Sequence, residues 1–275
     1  MNATQSETFD GKLLDITVTV STRQTAWVLV YPNIFGTTRL YSVPHEELAE
    51  RGYTVVEYHP RAHGRSTGTM EMHHAIKDLY RFLAGQDFFR LPVFVVAHSA
   101  GCNAVLQLNR TLLKVQRYVF VQPVFDFKES MLYMYSAGTY GDFIAALSRF
   151  TPDPSRLERT LRSPSWLDPR EWQDRGLREE INSFSVNGFE LGTFLEDFYI
   201  PSHHTKPLFA SIADRTTVLV TENDRWYPPS SIRTVASETG AVLEEVSSAR
   251  DHFFTGGWPT VWERVGGLMA LEELF

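Results

Sequence analysis

The stretch VFVVAHSAGCNAVL (Val93–Leu106) places a serine between two segments of different character. Its first four residues are β-branched or aromatic, which is typical of a strand buried on both faces. From Ala104 onward the apolar spacing is that of a helix. Ser99 therefore lies at a sharp strand-to-helix turn, flanked by Ala97 and Gly101, where larger side chains would collide with the neighbouring strand and helix. A serine held there projects its hydroxyl from the sheet, which suits a nucleophile.

Composition and charge restrict the classes of protein that the chain can belong to. Its 275 residues are enough for a large α/β domain, and a net charge of −7 argues against nucleic acid or an anionic membrane surface as the main partner. No apolar run approaches the length of a bilayer span, and the first residues lack the basic start and apolar core of a signal peptide. The single cysteine, Cys102, excludes an internal disulfide framework. We therefore expect a cytoplasmic protein without membrane insertion.

Strand-like runs alternate with helical patterns along most of the chain. This alternation predicts an α/β fold with a mostly parallel central sheet flanked by helices. The first two runs lack a helix between them and are expected to form an antiparallel edge hairpin. The seven runs are Leu13–Val20, Ala26–Pro32, Tyr53–His59, Val93–Ala97, Arg117–Pro123, Thr217–Thr221 and Val242–Val246.

A long interval, residues 126–204, interrupts this alternation. Its sequence predicts short helices separated by Pro, Gly and Ser. The interval is too long for a simple connection between a strand and a helix. We expect a helical cap over the carboxyl ends of the strands, with residues 1–125 and 205–275 forming the core domain. A purely structural excursion is the alternative. The interval is slightly enriched in aromatic residues, which favours an apolar acyl or aromatic substrate without establishing one.

A serine nucleophile needs a base to take its proton and a carboxylate to orient that base. His252 follows the last strand run, and Asp224 directly follows the apolar run before it in a loop closed by two prolines. The order Ser99, Asp224, His252, each after a different strand, predicts a catalytic triad. Asp126, just past the run that ends at Pro123, is the rival acid, although its simplest role is to cap the next helix.

Four stretches together resemble the α/β-hydrolase superfamily, in the branch with a helical cap after the sixth strand. AHSAG resembles its nucleophile elbow, with alanine in place of the usual first glycine. ENDRWYPP resembles its acid loop, and ARDHFF resembles its histidine loop. HPRAHGRSTG resembles its loop after the fourth strand but departs from the usual pattern at His59 and Ala62. The resemblance covers the whole chain in outline and implies the α/β-hydrolase fold.

The resemblance also implies an oxyanion hole made by two backbone amides. One is the amide of Ala100, directly after the nucleophile. The other belongs to the stretch YPNIFGTT, where the family usually has His-Gly before the donor and this chain has Tyr31 and Pro32. Asn33 is then the aligned donor, and Ile34 is the alternative.

The remaining histidines and the cysteine suggest no second site. His63, His73 and His74 are interpreted as structural or solvated, and adjacent histidines on a helix are expected to face different directions, so no metal site is predicted. His203 and His204 end the interval and are weaker candidates for the pocket. Cys102 is expected to be a small core residue.

These patterns favour a cofactor-independent serine hydrolase that cleaves an ester or thioester of a small-molecule substrate. The superfamily also includes enzymes that cleave carbon–carbon bonds or amides or carry out lyase and cyclisation chemistry, and these readings stay open because fold and triad do not separate them. A binding protein without activity is a third reading, against which a complete triad argues. The oligomeric state is open, with a homodimer among the alternatives.

Overall fold

The structure is a computed structural model. It describes residues 2–34, 36–69, 71–86, 90–108, 115–148, 153–164, 185–186, 189–190 and 205–272.

An eight-stranded sheet runs through the chain in the order β1-β2-β4-β3-β5-β6-β9-β10. The six strands from β4 to β10 in this order pair in parallel, whereas β2 pairs antiparallel with both β1 and β4. A separate two-stranded antiparallel sheet contains β7 and β8. The strands are β1 (Asn2–Glu7), β2 (Leu13–Thr19), β3 (Ala26–Tyr31), β4 (Tyr53–Tyr58), β5 (Val93–His98), β6 (Val115–Val121), β7 (Ser185–Val186), β8 (Phe189–Glu190), β9 (Thr216–Val220) and β10 (Val242–Glu245).

Helices cover both faces of this sheet. Residues 205–210 are also helical and lead toward β9 through a short 3-10 turn, Ala213–Arg215. A second 3-10 turn, Thr38–Tyr41, follows β3. In the described part of the chain, the other helices are α1 (His45–Glu50), α2 (Met72–Gly85), α3 (Gly101–Leu108), α4 (Phe127–Ala137), α5 (Tyr140–Ser148), α6 (Pro154–Thr160), α7 (Pro229–Thr239) and α8 (Trp258–Glu272).

Two apolar cores lie on opposite faces of the sheet, because alternate residues of its central strands point to opposite sides. Every residue of β3, β4 and β5 is buried. One core contains side chains of α2, α3 and α7, and the other contains side chains of α1 and α8. The predicted α/β class and mostly parallel sheet are therefore confirmed.

The predicted edge hairpin is wrong in its partners. β2 and β3 are not neighbours, because β4 lies between them and pairs antiparallel with β2 and parallel with β3. The edge hairpin consists instead of β1 and β2, and β1 is the polar segment Asn2–Glu7. Its sequence NATQSE carries no apolar alternation and so does not indicate a strand, although its backbone pairs with β2 along the whole segment.

The interval 126–204 begins with the three helices α4, α5 and α6, as predicted, and also contains the short strands β7 and β8, which the sequence did not indicate. Residues 149–152, 165–184, 187–188 and 191–204 lie outside the described residues. The end of the expected cap and the candidates His203 and His204 are among them. None of the described helices has both the length and the apolarity needed to cross a membrane.

Candidate active site

The turn between β5 and α3 holds Ser99 in a left-handed conformation, with φ of 56°. Non-glycine residues rarely adopt such a φ, and the strain persists only where the surroundings enforce it. Here the Ser99 amide donates a hydrogen bond of 2.9 Å to the carbonyl of Val121 in the adjacent strand. At Gly101 an added Cβ would lie 2.1 Å from the carbonyl oxygen of Pro32. Because Gly101, two residues after the serine, has no side chain, the turn can approach the loop that follows β3.

Ser99, His252 and Asp224 form one hydrogen-bonded chain. Ser99 Oγ lies 2.7 Å from His252 Nε2, and His252 Nδ1 lies 2.8 Å from Asp224 Oδ2. All three residues are at least 96% buried. Because an ionised carboxylate only accepts hydrogen bonds, Nδ1 carries the ring proton and Nε2 is the acceptor for the serine hydroxyl. This arrangement can remove a proton from Ser99 as the oxygen attacks an electrophile.

The carboxylate of Asp224 is fixed by its own loop. Its second oxygen, Oδ1, accepts hydrogen bonds from the backbone amides of Trp226, at 2.5 Å, and Tyr227, at 3.1 Å. The Trp226 ring then lies nearly parallel to the His252 ring, with 5.6 Å between centroids and 11° between planes. The loop therefore orients the acid and shields one face of the imidazole.

Two side chains of helix α4 and one of the turn after it bind the same loop. Tyr133 Oη donates to the carbonyl of residue 224 at 3.1 Å, Thr139 Oγ1, just past the helix, to that of residue 225 at 2.6 Å, and Ser130 Oγ to that of residue 226 at 2.7 Å. Three consecutive carbonyl oxygens of the acid loop are thus satisfied from one helix and the turn after it. The position of Asp224 depends on α4 as well as on β9.

Asp126, the rival acid, caps α4. Its Oδ1 accepts a hydrogen bond of 3.0 Å from the amide of Glu129, and its backbone is extended, as expected for the residue before a helix. The predicted capping role of Asp126 is confirmed, and His252 binds Asp224 instead.

The expected oxyanion donor Asn33 does not fit the hydrogen bonding of the structure. Its backbone amide donates a buried hydrogen bond of 2.7 Å to Tyr41 Oη and so has an acceptor already. Within the described part of the chain, the amides of Ile34 and Ala100 donate no hydrogen bond to a backbone carbonyl outside the helices and strands. Ile34 and Ala100 also line one narrow cavity, whereas Asn33 does not. The alternative donor, Ile34, therefore fits better than Asn33 as the partner of Ala100.

That cavity lies beside the nucleophile turn and is very small, with room for the centres of water-sized molecules over only about 10 Å³. Its walls are mostly apolar, and the Tyr31 phenol and the His63 imidazole are the ionisable groups among the residues around it. The lining residues are Tyr31, Pro32, Ile34, Pro60, His63, Met72, Ala100, Gly101 and Ala104. Apolar walls of this kind favour the binding of a small apolar group.

Two buried histidines outside the Ser99 chain are held neutral. Burial lowers the pKa of His63 to about 4, and its Nδ1 donates to the carbonyl of Arg61 at 2.8 Å. Burial lowers the pKa of His98, next to the serine, to about 3. The side chain of Cys102 is fully buried in the core, and burial raises the pKa of its thiol. No role was predicted for His98 from the sequence, although its position next to Ser99 was visible there.

These histidines predict a loss of stability in mild acid. A folded-state pKa below the ordinary value of about 6.5 means that the unfolded chain binds more protons, so stability falls as pH decreases below about 6.5. Each histidine should cost about 2 kcal/mol between about pH 7.5 and 5. Urea unfolding across this range measures the slope. His63→Asn, whose amide nitrogen can replace Nδ1, should halve it. Equal slopes in the wild type and in His63→Asn would contradict the assignment.

Among the described residues, Glu71, His73 and His74 form the group whose side-chain ligand atoms lie close enough together to hold a metal ion. The Glu71 carboxylate lies 3.0 Å from Nδ1 of His74 and 3.8 Å from Nδ1 of His73. The two rings lie 3.9 Å apart, so the expectation that adjacent histidines face different directions is wrong here. Both side chains lean toward the start of α2, where the extended backbone of Glu71 presents its carboxylate. The group shares no residue with the Ser99 chain, and the His73 side chain is 68% exposed.

The sequence matches the model of the alpha/beta hydrolase family over residues 22–260. This range covers most of the chain and includes Ser99, Asp224 and His252. The protein belongs to the α/β hydrolase family.

Solved structures with the same fold are distant in sequence. A hydrolase from Pseudomonas aeruginosa is 18% identical, with a TM-score of 0.64 over 98% of both chains. An esterase from Exiguobacterium antarcticum is 15% identical, with a TM-score of 0.63 over 98% of this chain and all of that one. A structure from a study of carboxylesterases of Nitrososphaera gargenis is 13% identical, with a TM-score of 0.65 over 98% of both chains. No curated protein sequence matches this chain.

Proposed function

We propose that the protein is a cofactor-independent serine hydrolase that cleaves an ester or thioester with a small apolar acyl or aromatic group. The observation that carries the proposal is the buried chain from Ser99 Oγ through His252 to Asp224. Two structures with the same fold have esterases in their names, which agrees with the proposal. Their sequences are only 15% and 13% identical to this one, so the likeness extends to the fold alone. The narrow apolar cavity beside Ser99 favours a small group.

In the proposed reaction Ser99 Oγ forms a bond to the carbonyl carbon of the substrate while its proton passes to His252 Nε2. The carbonyl electrons move to oxygen, and the amides of Ile34 and Ala100 stabilise the resulting oxyanion. The bond to the leaving oxygen or sulfur then breaks, and His252 donates its proton to the leaving group. Water, deprotonated by His252, attacks the acyl-enzyme and releases the acid, and the serine recovers its proton. Asp224 stabilises the imidazolium in both halves of the cycle.

A panel of p-nitrophenyl esters and acyl-CoA thioesters of increasing chain length tests the proposal on the purified protein. We expect turnover without added metal or cofactor, faster for the shortest chains than for the longest, because the cavity beside Ser99 is small. Inactivity on every ester and thioester would contradict the proposal and favour cleavage of a carbon–carbon bond or a biosynthetic reaction at the same site.

We further propose a small-molecule substrate encountered in the cytoplasm. The single cysteine and its burial fit a reducing compartment, and the net charge of −7 disfavours nucleic acid as a partner. Fractionation of the native host with an antibody to the protein tests the location, and recovery in a secreted or membrane fraction would contradict it.

A further inference from the structure

The hydroxyl of Tyr41 lies where three segments of the site meet. It accepts the 2.7 Å hydrogen bond from the Asn33 amide, and it lies 3.0 Å from His98 Nδ1 and 3.2 Å from Asn33 Oδ1. His98 Nε2 in turn lies 2.8 Å from the backbone carbonyl oxygen of His252. One tyrosine and one histidine therefore connect the loop after β3, the nucleophile turn and the histidine loop.

The protons in this series of hydrogen bonds have one consistent assignment. A carbonyl oxygen only accepts, so His98 Nε2 carries the ring proton and points at the carbonyl of His252. Burial keeps His98 neutral, so its Nδ1 is unprotonated and needs a hydrogen-bond donor. Burial also raises the pKa of Tyr41, so its hydroxyl keeps its single proton, which goes to His98 Nδ1 as the nearer of the two acceptors. The direction of donation is Asn33 amide to Tyr41, Tyr41 to His98, and His98 to His252.

The Tyr41 ring is itself held rigidly. It stacks on Trp258 with 3.8 Å between centroids and 15° between planes, and Trp262 Nε1 donates to the Tyr41 carbonyl at 2.6 Å. Both tryptophans belong to α8, and Tyr41 is 2% exposed. The hydroxyl is therefore a fixed acceptor, positioned by the second core of the sheet.

We propose that Tyr41 and His98 are positioning residues, which keep the Asn33 amide out of the oxyanion hole and thereby leave the next amide, that of Ile34, to stabilise the oxyanion. Tyr41 then anchors a loop in which Tyr31 and Pro32 replace the usual His-Gly. His98 links this loop to the backbone of the catalytic base. The inference rests on the proposed hydrolysis at Ser99.

The first test compares Tyr41→Phe with the wild-type protein in their reaction with a fluorophosphonate, whose phosphoryl oxygen needs the same hole. Tyr41→Phe keeps the stacked ring but removes the acceptor of Asn33 and the donor of His98. We expect the maximal inactivation rate to fall about 10- to 100-fold, with the half-saturating probe concentration changed by less than about threefold. Tyr58→Phe is the matched control, because its buried hydroxyl has no partner among the described residues; its rate should be that of the wild type. A wild-type rate in Tyr41→Phe would overturn the proposal.

The second test needs no activity. Imidazole ¹⁵N spectra of the wild-type protein, with the His98 signals assigned by their loss in His98→Asn, should show His98 protonated at Nε2 and bare at Nδ1. Tyr41→Phe should shift the Nδ1 resonance. A proton on Nδ1 in the wild type would overturn the proposal whatever the kinetics. If the wild type does not react with the probe, the proposed hydrolysis fails, and the His98 spectrum still decides whether the hydrogen-bond chain exists.

Discussion

Ser99→Ala should abolish covalent labelling by a fluorophosphonate and lower kcat on any hydrolysed ester by about 10⁶-fold, the scale seen when a serine protease loses its nucleophile. The reason is chemical, because an alanine has no oxygen to attack the phosphorus or the carbonyl carbon. His252 would then have no proton to receive. Intact-protein mass spectrometry measures the labelling, and peptide mapping of the wild-type adduct locates it.

The matched control for this change is Ser211→Ala, at a serine whose hydroxyl donates to the backbone of Leu208 and which is separate from the Ser99 chain. That variant should label at the wild-type rate. Labelling that persists in Ser99→Ala and maps to another residue would contradict the assignment of the nucleophile.

Asp224→Asn should lower kcat by about 10⁴-fold with the fold intact. A neutral amide can still accept the hydrogen bonds from the Trp226 and Tyr227 amides through its oxygen. Its nitrogen would then face His252 Nδ1 and favour the tautomer with a proton on Nε2, which is the atom that must accept the serine proton. Steady-state kinetics on an ester substrate measure the effect, after circular dichroism and thermal melting have shown that the variant is folded.

Asp126→Asn is the matched comparison and should lower kcat by less than about tenfold. Asparagine is as good a helix cap as aspartate, so the hydrogen bond to the Glu129 amide should survive. If Asp126→Asn proved severely impaired while Asp224→Asn remained nearly normal, Asp126 would be the functional acid, and the roles proposed for Ser99 and His252 would still hold.

The sequence could locate Ser99, Asp224 and His252 because each lies a few residues beyond a short apolar run. Strands of a parallel sheet end at the same edge, so residues that follow them meet whatever their separation along the chain. Positions of this kind depend on local patterns, which a single sequence displays.

Other features depend on contacts between distant segments, which local patterns do not display. The strand β1 has a polar sequence and pairs with β2, and β4, from a later part of the chain, lies between β2 and β3 in the sheet. The proposed choice of Ile34 over Asn33 as the oxyanion donor depends on the Tyr41 hydroxyl, whose contact with the Asn33 amide forms only in the folded chain. Ala62 adopts φ of 60° where the family has glycine, so that departure left the local backbone conformation unusual for alanine.

The hydrogen bonds from α4 and Thr139 to residues 224–226 have a consequence for exchange of segments between relatives. The bonded residues are 86 to 96 positions apart in the chain, yet they form one mechanical unit around the acid. A chimera whose replacement for residues 127–139 lacked these hydroxyls would leave three backbone carbonyls without donors and would loosen the partner of His252. An exchange of this segment between relatives should therefore carry residues 224–226 with it, so that the position of the acid is kept.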